Sequence, residues 1–334
     1  MRSPIFFCCM VIAVHFGSSG YLMAADDYKS LFKAKKYAEV ERLASLRLST
    51  DPTDASALIA KAEAILYSED KTRIAQAVEL SEQCVAAHPK QSECHLSLGT
   101  TLAAKALAAG KVAGLLLAGN IRQAYQQAVA LDRKNIEARF SLLRYYLIAP
   151  SMVGGGIEKA QELAQETLSI HAQAAQLMQG AISLREKQAA AAEAAALSAS
   201  APANPPLDEM LSEVHRSLLI GAGSLYMEAK KYSDAERAFR TIQKHYADSA
   251  WGPFLLARVH QVQGKCSVAL AFFEKAVALD TEAGYIYFRM AECLEVLNEK
   301  PRALAAFERS LTFKKRLSEQ QQKDIAARIK ALKT

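Results

Sequence analysis

The apolar positions of this chain do not alternate as they do in strands. Runs of β-branched residues interleaved with polar ones are few and alanine is abundant, which predicts helices nearly throughout. From Arg216 to about Ser318 the pattern repeats itself. Gly223, Ala257 and Ala291 are 34 residues apart, as are Ala235, Ala269 and Ala303, and as are Phe239, Phe273 and Phe307. Two series of small residues and one of large rings, sharing one period, describe a pair of helices that cross closely and enclose a ring. A side chain larger than alanine at the crossing would push the axes beyond their usual separation of about 8–10 Å.

The stretches "GSLYMEAKKYSDAERAFRTI", "ARVHQVQGKCSVALAFFEKAVALD" and "AECLEVLNEKPRALAAFERSL" resemble the tetratricopeptide repeat (TPR) family, whose unit is a 34-residue antiparallel helix pair. The resemblance implies an all-α fold, a TPR-type α-solenoid with a C-terminal capping helix. Upstream the repeats are looser. Residues 21–54 keep Leu31, Tyr37 and Pro52, and residues 55–91 keep Leu58, Ala62, Ile65, Ala77 and Pro89. Residues 92–135 keep Leu98, Gly99, Leu102, Tyr125 and Ala128 but carry roughly ten extra residues around "ALAAGKVAGL", which should lengthen the helices or the turn.

The glycines of "APSMVGGG" (149–156) have the outline of a phosphate-cradling loop ahead of the helix "IEKA". A P-loop needs a preceding strand and a Lys–Ser/Thr pair, and the chain offers neither here. Pro150 ends one helix and the glycines supply a turn to the next, so the motif reads as the joint between the two helices of the repeat at 136–169. A related turn occurs in some bacterial envelope TPR proteins. Residues 170–200 drift into alanine-rich sequence, and 198–206, with Pro202, Pro205 and Pro206, reads as a flexible joint. This divides the chain into an N-terminal array (26–197), a linker (198–206) and a C-terminal array (207–334). The last segment opens with a Ser318/Gln321 capping box and places Ile325, Ile329 and Leu332 on one face, as a helix closing the array should.

Arg2, the apolar run Ile5–Phe16 and the small residues before Asp26 read as a cleaved secretory signal, 1–25, too short for a membrane span. The expected location is periplasmic or secreted, with no integral span after cleavage. The net charge of +6 is spread among interspersed acids, with no basic stripe to suggest nucleic acid. There is no HExxH, GxSxG or Walker lysine, and no cofactor or enzymatic activity is expected. Cys84, His88, Cys94 and His95 lack the spacing of a known zinc finger. In an oxidising compartment, bridges 84–94 and 266–293 are expected, because each pair is level across an antiparallel helix hairpin; buried free thiols are the alternative.

In the TPR family the first helix of each repeat lines a groove for peptides or partner proteins. Carried over by position, the resemblance places Phe140, Arg144, Trp251, Phe254, Arg258, Tyr285 and Phe288 there. Ile59, Leu96, Ile220 and Phe254 stand where a carboxylate clamp would need lysine and asparagine, so an apolar or aromatic segment is the expected ligand. The implied role is a non-catalytic interaction scaffold of the cell envelope. The stretch Tyr246–Ser249 partly resembles TPR factors of outer-membrane-protein assembly and peptidoglycan coordination, which gives a narrower alternative.

Overall fold

The computed structural model describes residues 25–68 and 70–333. Among them are seventeen α-helices and no strand, and they fall into two compact units divided between Pro89 and Lys90. Of the expected signal, 1–25, only Ala25 lies within the described residues.

The first unit holds α1 (Ala25–Lys33), α2 (Tyr37–Thr50), α3 (Ala55–Tyr67) and α4 (Ile74–Ala87). Its helices meet through small buried residues, with Ala44 of α2 and Ala57, Ala60 and Ala64 of α3 around Val40. Asp54 caps α3 by accepting from the Ala57 amide at 2.9 Å, and Arg47 of α2 holds the other carboxylate oxygen at 2.8 Å. The cap therefore also fixes the turn between the two helices. Cys84 is in a disulfide.

In the second unit the helices follow one another as hairpins: α5 (Ser92–Ala109) with α6 (Lys111–Leu131), α7 (Ile136–Ile148) with α8 (Ile157–Leu168), and α9 (Ala172–Arg185) with α10 (Ala189–Ala199). Then come α11 (Glu209–Glu228) with α12 (Tyr232–His245), α13 (Trp251–Val262) with α14 (Cys266–Leu279), and α15 (Gly284–Val296) with α16 (Lys300–Thr312), before α17 (Glu319–Lys333). Phe239, Phe273 and Phe307 are completely buried, as are Ala235, Ala269 and Ala303. At Gly223 the fit is tight: a Cβ there would stand 2.2 Å from the Phe239 ring. The α5–α6 hairpin uses the same device with Tyr125 against Gly99, where a Cβ would come within 2.5 Å of the ring. Removing one such phenylalanine down to alanine costs about 3–5 kcal/mol in a close-packed core. At the far end the capping box forms, the Gln321 side chain accepting from the Ser318 amide at 2.9 Å, and Ile325 of α17 is buried.

The three glycine amides of the turn at 149–156 are spent on the turn itself. The amides of Gly154, Gly155 and Gly156 donate to the carbonyls of Ser151, Pro150 and Tyr146 at 2.8, 3.1 and 2.9 Å. Gly154 adopts a left-handed φ of 89°, and a Cβ on Gly155 would strike the Ala149 carbonyl oxygen at 1.8 Å. Arg122 and the Tyr145 hydroxyl both donate to the Val153 carbonyl, at 3.0 and 2.6 Å, clamping the joint to α6 and α7.

Two expectations are corrected here. Residues 198–206 do not part the chain: they lie inside the second unit, where α10 packs on α11. The Gln173 amide donates to the Ala199 and Pro205 carbonyls at 2.9 and 2.8 Å, and Asn204 donates to that of Ser198 at 2.8 Å, so the proline stretch is tied to α9 and α10. The alanine-rich α10 is itself a packed helix, with Ala192, Ala196 and Ala199 buried and Glu193 held by Arg237 at 2.7 Å and by the Tyr226 hydroxyl at 2.9 Å. Second, although Cys94 is in a disulfide, Cys266 and Cys293 are free buried thiols, hydrogen-bonded to each other. Burial pushes the Cys293 thiol well above its usual range, which suppresses the thiolate that bridge formation requires.

Candidate functional site

The first helices of the last two hairpins begin with aromatic residues, and packing fixes where those residues stand. Pro253 occupies the first turn of α13, where its missing N–H has no acceptor to lose. Gly252 lets α13 approach α12 so closely that a Cβ would stand 2.7 Å from the Gln243 Cα. Gly284 does the same for α15, where a Cβ would meet the Phe313 carbonyl oxygen at 2.3 Å; Ser310 Oγ donates to the Gly284 carbonyl at 2.7 Å. These anchors place Trp251 and Tyr285 side by side on adjacent helices, their rings stacked with centroids 5.8 Å apart. Phe254 stands edge-on to both, 5.9 Å from Trp251 and 5.0 Å from Tyr285, and leans on the Phe273 wedge at 6.2 Å. Such offset and edge-on pairs are the favoured aromatic geometries.

The cluster is a half-sunk shelf. Trp251 is 39% exposed, and Phe254 and Tyr285 are half-buried. Burial raises the Tyr285 phenol above its ordinary range, opposed by the Arg316 guanidinium beside it. Arg316 in turn pairs with Asp280 at 3.3 Å.

Beyond the aromatics the face becomes polar. Arg258 is half-buried, and its charge is disfavoured first by burial and next by Arg289. Its nearest partner is the neutral Gln261 side chain, to which it donates. Gln261 reaches across to α15, donating to the Arg289 carbonyl at 3.0 Å and to Glu292 at 3.3 Å, and Arg289 pairs with Glu292 at 2.9 Å. Gln261, Arg289 and Glu292 complete this face beyond the residues that the family resemblance places there. The signal for one of them lay in the repeat, since Glu292 stands one 34-residue period after Arg258.

The structure thus brings Trp251, Phe254, Tyr285 and Arg258 onto one face. It does not bring Phe140 and Phe288 to any surface: they are 9% and 4% exposed and belong to the core. Phe288 is one period after Phe254 yet is lost to the interior, because it packs on Phe307 at 6.3 Å in the cluster that Leu317 and Ile325 close. Arg144 is exposed, on α7, three hairpins upstream. Among the described residues no group of three or more His, Cys, Asp or Glu side chains is placed to hold a metal ion.

No protein-family profile matches the chain, and no curated protein matches it by sequence. Solved structures do match by fold. Yeast Tom70 is 12% identical with a TM-score of 0.64, over 96% of this chain and 66% of that one. A tetratricopeptide repeat protein from Parabacteroides merdae is 18% identical over 84% of this chain and 99% of that one, with a TM-score of 0.46. The Cut9–Hcn1 assembly of the APC/C matches at 13% identity and a TM-score of 0.44, over 92% of this chain and 54% of that one. With helix pairs on a 34-residue period, rings closed against small residues, and a fold shared with Tom70, this chain has the fold of a TPR-type α-solenoid.

Proposed function

We propose that this protein is a non-catalytic scaffold of the bacterial cell envelope that holds a peptide or protein segment on the face formed by α13 and α15. The shelf of Trp251, Phe254 and Tyr285 carries the reading. Three rings braced against one another from adjacent helices expose apolar area at little conformational cost, and tryptophan, tyrosine and arginine are the residue types on which binding energy concentrates. Arg258, whose hydrogen-bond partner is a neutral amide, offers a positive charge to an acidic group beside the apolar segment. An affinity in the micromolar range, about −8 kcal/mol, suits a site of this size. The signal-like N-terminus and the oxidised Cys84 and Cys94 support a location outside the reducing cytosol.

The narrower role, in assembly of outer-membrane proteins or coordination of peptidoglycan machinery, rests on Tyr246–Ser249. The Tyr246 hydroxyl donates to the Ser212 carbonyl at 2.8 Å and meets His215 Nδ1 at 2.7 Å. That corner is a structural tie and lends the narrower role no support of its own.

Panning a displayed peptide library on the wild-type protein and on Trp251→Ala and Tyr285→Ala variants tests the scaffold reading. Enrichment of apolar, acid-bearing peptides by the wild type, lost in both variants, is the expected result. Equal enrichment by all three proteins would move the binding face elsewhere.

A further inference from the structure

The α5–α6 hairpin is the longest of the second unit. α5 has 18 residues and α6 has 21, against 12–14 in α7, α8, α13 and α14. Some six extra residues add about 9 Å of helix to each arm. None of that addition is packed into the body: between Leu102 and Ala118 no described side chain is buried. The two arms instead grip each other. A Cβ on Gly114 would touch the Ala106 carbonyl oxygen at 3.0 Å, and Gly110, with φ of 84°, makes the turn.

What this tip presents is apolar. Leu107, Val112 and Leu116 are 86%, 81% and 83% exposed, and Leu115 is 41% exposed. Among the described residues Met152 is the one other large apolar side chain exposed beyond four-fifths. Val112, Leu115 and Leu116 follow the i, i+3, i+4 spacing that puts them on one face of α6. A soluble surface does not ordinarily carry such a patch without a counterpart.

Composition says which counterpart. From Ala103 to Gly119 the chain contains alanine, glycine, leucine, valine and two lysines, and nothing else. No acid occurs between Glu93 and Asp132. The tip therefore lacks the tryptophan, tyrosine, arginine and amide side chains by which one protein surface specifies another. It has what an anionic bilayer requires: apolar side chains to enter the acyl boundary, a depth of about 5–10 Å, and positive charge with no negative charge to repel the headgroups. No helix of the described residues is long and apolar enough to cross a membrane, so the tip would dip into the surface and not span it.

We propose that the α5–α6 tip is a membrane-docking element that inserts Leu107, Val112 and Leu116 shallowly into an anionic phospholipid surface. The proposal is independent of peptide binding at Trp251 and Tyr285.

Co-sedimentation of the full chain with vesicles tests it, using phosphatidylcholine alone and phosphatidylcholine mixed with phosphatidylglycerol. The wild type is expected to sediment with the anionic vesicles. Leu107→Asp/Leu116→Asp should weaken this at least about tenfold, since two exposed apolar groups are replaced by repelled charges. Lys105→Glu should weaken binding to the anionic vesicles alone. These side chains are exposed, so the variants should match the wild type in circular dichroism and unfolding midpoint. As a second readout, Leu116→Trp in a Trp251→Phe background should shift its emission to shorter wavelength when anionic vesicles are added. Undiminished vesicle binding by the double aspartate variant, or an unshifted emission, would overturn the proposal. So would tip-dependent self-association in the absence of lipid, seen by light scattering and abolished by the same variant, which would assign the patch to a second copy of the chain.

Discussion

Substituting alanine for Gly223 sets two well-understood effects against each other, and the structure decides which wins. In the middle of α11 an alanine should be better than a glycine by about 0.5–1 kcal/mol, because the unfolded glycine has more freedom to lose. The new Cβ, however, would stand 2.2, 2.5 and 2.9 Å from Cε1, Cζ and Cδ1 of Phe239. Carbon atoms in contact prefer about 3.5–4.0 Å, so the ring or the helix must give by more than an ångström. Phe239 has no surface to retreat to, being completely buried among Ala235, Ala238 and Ile242. Overpacking of this kind costs about 1–3 kcal/mol, so Gly223→Ala should on balance destabilise, by up to about 2.5 kcal/mol. Gly119→Ala in α6 is the matched control: it is exposed, has nothing within 4 Å of its Cβ, and should stabilise by about 0.5–1 kcal/mol. Urea unfolding followed by circular dichroism reads the whole chain. Trp251, in the hairpin that follows Phe239, supplies a local fluorescence signal should the array unfold in parts. If both substitutions stabilise, the wedge is not tight and the account of the hairpin crossing is wrong.

Protonation of His215 should unfold the middle of the second unit in mild acid. The ring is buried, with the His245 ring 5.4 Å away and Ser200 and Tyr246 on its two nitrogens, and desolvation, then His245, pushes its pKa down to about 4 from 6.5. The stabilisation from a neutral His215 is full above pH 6.5 and should fall by about 1.4 kcal/mol per pH unit from there to pH 4, where the folded form too takes the proton. Urea midpoints of the wild type should therefore fall more steeply across that window than those of His215→Gln; parallel slopes would remove the assignment. For the cysteines, iodoacetamide applied to the denatured, unreduced chain should modify Cys266 and Cys293 and leave Cys84 and Cys94 unmodified, as peptide mass spectrometry would show. Protection of the later pair would mean that its thiols oxidise despite their burial.

The fold was legible because its determinants are periodic. A ring and two small residues recurring every 34 positions name both helices of a hairpin and the contact between them, and Phe239, Phe273 and Phe307 lie where that period puts them. What could not be read is what depends on single long-range partners. The proline stretch at 198–206 has the composition of a joint, but one amide, that of Gln173, satisfies two of its carbonyls and fixes it. Glu193, in a run of alanines, looks like surface until Arg237, 44 residues away, closes on it. Cys266 and Cys293 read from sequence as a level pair on consecutive helices, yet level position says nothing of the apolar surroundings in which both thiols are buried and free.

Phe254 and Phe288 show why a repeat does not repeat its site. They occupy equivalent positions, and sequence gives no ground for treating them differently. The hairpin after Phe254 is another repeat, which presents Tyr285 as a flat neighbour and leaves the shelf half open. The α-helix that follows the hairpin of Phe288 is α17. Leu317 and Ile325 close over the same cluster, and the guanidinium of Arg289 covers the ring at 4.9 Å. An array must end by covering the apolar face that another repeat would have used. The covering that buries Phe288 leaves no open ring there, so the aromatic shelf falls one repeat inward, at the junction of α13 and α15.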